Sequence, residues 1–151
     1  MASNDGAATG IGLTFDCADP ATQAHFWAVA LGYEQSPPPE GWTTWEAFFT
    51  DHDVPPGEWG DGAAIRDPAG ARPAISFLKV PEPKQAKNRL HVDLRVSGGR
   101  HIDHGERAQR IEAKVAELLA EGATVHARDL VRGHLDHVVM LDPEGNEFCV
   151  V

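Results

Sequence analysis

Two short segments of the chain recur about half a chain length further on. The segment GLTFDC at 12–17 resembles RLHVDL at 89–94, and RDPAG at 66–70 resembles LDPEG at 141–145. The two offsets are 77 and 75 positions, and nearly equal offsets are typical of a duplicated structural unit. Coincidence is the alternative, because a D-P-x-G turn is common by itself.

The first half of the chain predicts a strand, a helix and three further strands. Residues 11–17 alternate apolar and small or polar side chains, as a half-buried strand does. Asp19 supplies an N-cap, Pro20 suits the first helical position, and Gly32 suits the residue after the last turn. Strands are expected at 43–50, 62–66 and 73–80.

The second half repeats this order, which favours duplication. A strand is expected at 90–96, a helix at 106–121, and strands at 124–128, 137–141 and 147–151. The segment 81–88 contains two prolines and three charged residues, and is predicted to be a linker. The sequence therefore predicts an α+β domain over 1–151, with one βαβββ module at about 10–80 and another at about 89–151.

Composition excludes several classes of protein. The formal net charge of -10 disfavours nucleic acid as a partner, because binding to phosphates requires clustered Lys and Arg. No apolar run approaches the roughly 20 residues of a membrane helix. Residues 1–9 carry no export signal, so we expect a frayed start and a cytoplasmic protein. Cys17 and Cys149 are isolated from each other and are expected to be reduced thiols.

Several longer segments resemble one known family. They are FDCADP at 15–20, FW at 26–27, LGY at 31–33, VPEPK at 80–84, NRLHVDLR at 88–95 and DPEGNEFCV at 142–150. Together they resemble the actinobacterial glyoxalase-like domain family of the glyoxalase, bleomycin-resistance and dioxygenase (vicinal oxygen chelate) superfamily. The resemblance implies curved mixed sheets around a concave pocket, with helices outside. It leaves the chemistry open, because the superfamily includes glyoxalase I, extradiol dioxygenases, antibiotic-modifying enzymes and drug-sequestering proteins.

Within that fold, the alternation of side chains along a strand predicts which residues face the pocket. The apolar residues of the strand at 90–96 should pack beneath the helix. The polar residues of that strand then face the pocket. The same parity applies to the first strand of module one and to the last strand of module two. The predicted inward residues are Thr14, Asp16, His91, Asp93, Arg95, Glu147 and Cys149.

The resemblance also implies where a metal would bind. Metal-dependent members take His or Glu ligands from the first and last strands of each module, and His91 occupies one such position. Its counterpart in module one is Thr14, a poor ligand for zinc, nickel or iron. Cys149 stands where the usual glutamate lies, with Glu147 two residues earlier. We therefore expect an incomplete metal site and no cofactor. The alternative is a divalent ion (Zn, Ni, Mn or Fe) held by His91 with Glu147 or Cys149.

Proton transfer without a metal is a further alternative. Asp16 and Asp93 occupy matching repeat positions, and His91 is a candidate proton acceptor if Asp93 orients it. A purely structural interpretation also stands, in which each carboxylate pairs with an arginine such as Arg89 or Arg95. These two interpretations remain open at the level of sequence.

Aromatic side chains are concentrated between positions 42 and 59, where they suit a flat or apolar ligand. The predicted ligand contacts are Trp42, Trp45, Phe49 and Trp59, with Thr14, Arg95 and Glu147. The sequence thus predicts a glyoxalase-like protein that binds an aromatic or hydrophobic small molecule. A metal-dependent lyase, isomerase or dioxygenase that uses His91 and Glu147 or Cys149 is the alternative. The resemblance also implies a homodimer.

Overall fold

Each half of the chain folds into a strand, a helix and a set of further strands, as the repeat predicts. The computed structural model describes residues 8–151, so most of the predicted frayed start lies outside the described residues. Module one contains β1 (Leu13–Cys17), α1 (Pro20–Leu31), β2 (Glu34–Gln35), α2 (Trp45–Asp51), a 3-10 turn (Pro56–Glu58), β3 (Gly62–Arg66) and β4 (Ile75–Lys79). Module two contains β5 (Asp93–Leu94), α3 (His104–Ala120), β6 (Thr124–Val131), β7 (His134–Leu141) and β8 (Glu147–Val150).

The two modules have the same strand order, which confirms the predicted α+β architecture of two tandem βαβββ modules. The sheets run β1-β4-β3-β2 and β5-β8-β7-β6. In each sheet the first strand pairs in parallel with the last, Leu13 with Ile75 in module one and Asp93 with Cys149 in module two. The remaining pairs are antiparallel.

Helix α1 begins and ends where the sequence predicts. The Asp19 carboxylate accepts a hydrogen bond from the backbone N–H of Thr22, and Pro20 occupies the first helical position. Gly32 takes the left-handed conformation, with φ of 69°, that favours glycine after a last turn.

The strand predicted at 43–50 is wrong, because this segment forms helix α2 instead. Thr44 acts as its N-cap by accepting a hydrogen bond from the backbone N–H of Ala47. Trp45 and Phe49 then stack one helical turn apart, with ring centroids 5.6 Å apart. The short strand β2 takes the place in the sheet that the prediction gave to 43–50.

The strand predicted at 90–96 is shorter than expected. Only Asp93–Leu94 is strand, and Leu90, which parity placed in the core, is 68% exposed. The preceding residues are held elsewhere, since the backbone N–H of Asn88 donates to the Glu147 carboxylate rather than to a neighbouring strand. Val92 and Leu94 do pack in or against the core.

The core is continuous across the two modules. Trp27 of α1 is 1% exposed and lies between Phe15 of β1 and Phe148 of β8, with both ring centroids 5.2 Å away. Apolar burial of this kind is the main favourable term in folding. Among residues 8–151, no helix is long and apolar enough to cross a membrane.

The repeated D-P-x-G turns have matching structures. Asp67 and Asp142 are 6% and 4% exposed, and each accepts backbone N–H groups of its own turn. The Asp67 carboxyl has a pKa below its ordinary value, chiefly because the backbone N–H of Ala69 donates to it. The duplicated segments thus fold into duplicated turns.

Candidate functional site

Two cavities meet at Thr14, which lines both of them. The larger, of about 1230 Å³, lies in module one between the sheet, α1 and the aromatic segment. The smaller, of about 690 Å³, lies along β1 beneath residues 82–90 and the turn that precedes β8. The sequence predicts a single concave pocket, and only some of the residues predicted for it line either of these two cavities.

The wall of the larger cavity is a stack of three aromatic rings. Trp45 stacks on Phe49 at a centroid distance of 5.6 Å, and Phe49 stacks on Trp59 at 5.9 Å. The interplanar angles are 29° and 28°, so each ring is tilted by less than 30° from the one it stacks on. All three residues line the cavity, and their contact with a ligand stays a prediction.

Backbone acceptors fix the orientation of the two indoles in this wall. The Trp45 Nε1–H donates to the carbonyl of Ser36 at 2.9 Å, and the Trp59 Nε1–H donates to the carbonyl of Val54 at 2.9 Å. Both polar groups are therefore satisfied within the protein. The ring surfaces are left as the part of each indole available to a ligand.

The floor opposite this wall consists mostly of small side chains. Gly62 and Ala64 of β3 line the cavity together with Ser76 of β4. Leu78, half exposed at 50%, adds an apolar contact on the same sheet. Small residues at these positions leave space next to the aromatic rings for a flat ligand.

Trp42 does not line either cavity, contrary to the prediction. It packs on the opposite side of α2, where its ring centroid lies 5.1 Å from that of Phe48 and 5.2 Å from that of His52. The helical spacing of α2 explains why Phe48 does not line the cavity with Trp45 and Phe49. The latter two are four residues apart and share a face of the helix, whereas Phe48 lies on another face.

The smaller cavity is covered by the segment 81–90, which we call the strap. The predicted linker at 81–88 covers most of this segment. Its Lys84, Lys87, Asn88 and Arg89 all line the cavity, so these residues were missed as candidate site residues. Clustered Lys, Asn and Arg beside a predicted inward-facing strand were the available signal.

Glu147 holds the strap in place. Its side chain is 14% exposed and accepts a hydrogen bond from the backbone N–H of Asn88 at 3.0 Å. The ammonium groups of Lys84 and Lys87 lie 3.7 and 3.9 Å from its oxygens. The hydrogen bond from Asn88, followed by these two cations, lowers the pKa of the Glu147 carboxyl below its ordinary value of 4.5. Glu147 lines the smaller cavity as an ionised group that already has partners.

The other predicted residues of module two do not converge on one point. His91 is exposed, and its Nε2 lies 3.4 Å from the Lys87 ammonium. Asp93 pairs with Cys149 in the β5–β8 register, and Arg95 is exposed. None of these four residues lines either cavity.

Of the two carboxylates predicted for proton transfer, Asp16 lines a cavity and Asp93 does not. Asp16 lines the smaller cavity, close to Thr14 on β1. Within residues 8–151 it forms no ion pair with Arg89 or Arg95, and neither does Asp93. Asp16 and Asp93, which were expected to face the same region, therefore do not line a common cavity.

The donors proposed for a divalent ion do not fit one in this arrangement. Among residues 8–151, no three His, Cys, Asp or Glu side chains lie close enough together to hold a metal. Glu147 is paired with lysines, and burial raises the pKa of the Cys149 thiol, which disfavours the thiolate that a metal requires. His91, Glu147 and Cys149 would have to move to share an ion, and the metal-dependent alternative stays a prediction.

Comparison with models of protein families shows to which family the chain belongs. The model of the glyoxalase-like domain family matches residues 12–151. The chain belongs to the glyoxalase-like domain family. This places it in the vicinal oxygen chelate superfamily, as the sequence motifs indicated. The match covers both modules and the strap, but it does not assign a reaction.

Solved structures of low sequence identity share the fold of this glyoxalase-like protein. A glyoxalase/bleomycin resistance protein/dioxygenase family enzyme from Burkholderia phytofirmans PsJN is 15% identical, with a TM-score of 0.56 over 91% of this chain and 93% of that chain. A possible glyoxalase from Bacillus cereus is 16% identical, with a TM-score of 0.56 over 95% and 99% of the two chains.

A third neighbour contains a metal and a small molecule. It is a mutant of the genomically encoded fosfomycin resistance protein FosX from Listeria monocytogenes, complexed with Mn(II) and 1S,2S-dihydroxypropylphosphonic acid. It is 13% identical to the present chain, with a TM-score of 0.58 over 95% of this chain and 90% of that chain. No functionally curated protein matches the sequence. At these identities the likeness shows the fold alone.

Proposed function

We propose that this glyoxalase-like protein binds a flat aromatic or otherwise apolar small molecule in the larger cavity. The observation that carries the proposal is the stack of Trp45, Phe49 and Trp59, three aromatic residues that all line that cavity. Aromatic faces bury large apolar area and favour offset stacking with other rings. A ligand inserted between this wall and the sheet would add one further ring to the stack.

The size and chemistry of the cavity support this proposal. Small-molecule sites usually measure about 300–1,000 Å³ and are lined mainly by apolar side chains with few polar groups. The larger cavity, at about 1230 Å³, has room for a ligand of drug size. Its wall is already oriented, because both indole N–H groups are bonded to backbone carbonyls. Less conformational freedom is lost when such a preorganised site binds its ligand.

Binding by this wall requires no metal and no proton transfer. The smaller cavity is lined by Asp16, a candidate for proton transfer, and by the predicted ligand contacts Thr14 and Glu147, but Glu147 is occupied by the strap. FosX, which shares the fold, is complexed with Mn(II) and a small phosphonic acid. The arrangement in the present protein instead favours recognition through aromatic stacking.

Calorimetric titration with quinoline, a neutral two-ring probe near neutral pH, tests the proposal. We expect saturable binding with a dissociation constant of roughly 0.1–1 mM, the range for a fragment of this size. Phe49→Ala removes the central ring of the wall and should weaken binding at least about tenfold. Phe48→Ala is the matched control, because Phe48 is also half-buried on α2 but lines neither cavity.

The outcome separates the larger cavity from other sites. Equal affinity in the wild type and Phe49→Ala, with both folded by circular dichroism, would contradict the proposal. Loss of binding in Phe48→Ala together with Phe49→Ala would also count against it, unless melting shows that Phe48→Ala has unfolded α2. In that case Phe48→Leu and Phe49→Leu, which keep apolar volume without the ring, replace the two alanine variants, since Phe48 packs against both Trp45 and Phe49.

A further inference from the structure

We propose that the ligand of the larger cavity is an organic cation, a flat ring system carrying positive charge. This inference rests on the proposed function and adds the charge of the ligand to it. It depends on three independent features of module one: the distribution of charge along the chain, the charged groups at the cavity wall, and the aromatic faces.

The net charge of the protein comes entirely from the first part of the chain. All 13 Lys and Arg residues lie at Arg66 or later, whereas 10 of the 23 Asp and Glu residues lie before it. Residues 1–65 therefore carry a formal charge of -10, and residues 66–151, with 13 charges of each sign, are formally neutral. Since α1, α2, β3 and the aromatic wall lie in or next to this acidic part, we infer a negative potential at the larger cavity, although Glu34 and Asp61 are paired with Arg66 and Lys79.

The lining of the cavity shows the same bias at close range. Glu46 is the lining residue that is charged at neutral pH, since no Lys or Arg lines this cavity among residues 8–151. The other titratable lining residue is His25, whose Nε2 lies 3.1 Å from a carboxylate oxygen of Glu121. A cationic ligand therefore encounters no like charge there, whereas an anionic ligand finds no counter-ion.

Glu46 lies on the same face of α2 as the wall. It follows Trp45 directly and precedes Phe49 by three residues, and all three line the cavity. Within residues 8–151 its carboxylate has no hydrogen bond or ion pair from another side chain, unlike Glu34 with Arg66 or Glu112 with Arg128. An unpaired carboxylate beside aromatic faces is available to a ligand.

The aromatic faces add an attraction of their own. A cation within about 6 Å of a ring centroid is attracted by the negative face of the ring, most strongly with tryptophan. Trp45 and Trp59 both line the cavity, and their N–H edges are bonded to the backbone, so each indole has the ring face that is not stacked on Phe49 for a cation. A charged flat ring would therefore combine stacking with cation–π attraction.

The smaller cavity is lined by charges of both signs. Lys84, Lys87 and Arg89 line it together with the carboxylates of Asp16, Glu82, Glu144 and Glu147. Glu147 is paired with the two lysines, and the Glu144 carboxylate accepts the backbone N–H groups of Ala18 and Asp19. This lining favours neither sign of ligand charge, so the preference for a cation is assigned to the larger cavity alone.

Three probes of similar shape and different charge test the inference by calorimetry. They are 1-methylquinolinium, a cation; quinoline, which is neutral near neutral pH; and 1-naphthoate, an anion. We expect the cation to bind about tenfold tighter than quinoline at low salt, and the anion to bind more weakly than quinoline. The preference for the cation should shrink as salt is raised, because screening shortens the Debye length from about 10 Å at 0.1 M to about 3 Å at 1 M.

Glu46→Gln should weaken binding of the cation about threefold and leave the affinity for quinoline unchanged. Glu58→Gln is the control, since it removes one charge from the same acidic segment at a residue that does not line the cavity. Equal affinity for the cation and quinoline would overturn the inference but leave the proposed function standing. Binding of neither would overturn both. Tighter binding of 1-naphthoate than of 1-methylquinolinium would overturn the inference alone.

Discussion

The indole Nε1–H of Trp27 donates to Oδ2 of Asp142 at 3.1 Å, joining α1 of module one to the turn between β7 and β8 of module two. Both residues are buried, and the same carboxylate also accepts the backbone N–H groups of Glu144 and Asn146. The connection couples the repeated turn motif to the other module. It therefore fixes the position of the helix that forms one side of the larger cavity.

Replacing Trp27 with Phe should destabilise the protein by about 1–3 kcal/mol. The change deletes a hydrogen bond to a buried carboxylate and leaves space where the indole packed. Urea denaturation followed by circular dichroism measures the change. Trp42→Phe is the control, since Trp42 is only half-buried and its side chain has no hydrogen bond among the described residues. An equal loss of stability in both variants would contradict the role assigned to Trp27.

The Asp136 carboxyl should make stability depend on pH in the acid range. The His137 ring, then Arg100 and Arg107, hold its pKa below the ordinary value of 3.8. A carboxyl with a lowered pKa stabilises the fold above that ordinary value, and the stabilisation disappears as pH falls through the folded-state pKa.

The measurement compares free energies of unfolding of the wild type and Asp136→Asn across this range. The variant should be less stable at neutral pH, and the difference should vanish well below the ordinary pKa. Asp51→Asn, at an exposed position of α2, should show no such difference. A gap between wild type and Asp136→Asn that stays constant as pH falls would refute the interpretation.

Glu147→Gln should loosen the strap without unfolding β8. The change removes the charge that pairs with Lys84 and Lys87, and it weakens the acceptor for the Asn88 N–H. Hydrogen exchange of the Asn88 amide should become about tenfold faster or more. The Cys149 amide, which donates to the Val92 carbonyl, should exchange as before. Unchanged exchange at Asn88 would show that Glu147 does not hold the strap.

Both cysteines should be unreactive in the folded protein. Burial, with the carboxylates of Glu144 and Asp19 adding to it, raises the pKa of Cys17 to about 11. Burial and then Asp93 raise the pKa of Cys149. Because the thiolate is the reactive form, a thiol reagent at mildly alkaline pH should label neither residue quickly, and both after denaturation. Rapid labelling of one thiol in the native state would contradict the buried positions.

The sequence predicts correctly those caps and turns that residues close together along the chain determine. The cap at Asp19, the left-handed Gly32 and the D-P-x-G turns at Asp67 and Asp142 depend on residues within a few positions of each other. The repeat predicts that both modules have the same order of strands and helix, because duplicated segments fold alike. These signals sufficed for the α+β class and the two modules.

The segment 43–50, which residue types predict to be a strand, is a helix because the spacing of its aromatic residues and its N-cap outweigh those types. Thr and aromatic residues favour strands, but Thr44 is also a good N-cap, and Trp45 and Phe49 are spaced for one face of a helix. That spacing also positions the site, since it turns Trp45 and Phe49 toward the cavity and leaves Phe48, on which Trp42 packs, outside its lining.

The strap could not be predicted from local sequence. Its position depends on the contact between Asn88 and Glu147, which are 59 residues apart. The same contact occupies the carboxylate that was expected to face a ligand, and it lies beside the short β5 and the exposed His91. None of these features follows from the pattern of side chains along a single strand.

The indole N–H signals of the four tryptophans test the assignment of the aromatic cavity most directly. In a two-dimensional ¹H–¹⁵N spectrum, each is assigned from its Trp→Phe variant and followed during titration with 1-methylquinolinium and with quinoline. We predict that the signals of Trp45 and Trp59 shift together and saturate at the same probe concentration, while those of Trp27 and Trp42 stay in place. Trp27 lines the smaller cavity, so a titration in which the signal of Trp27 moves and those of Trp45 and Trp59 do not would place the ligand there and contradict the proposed function.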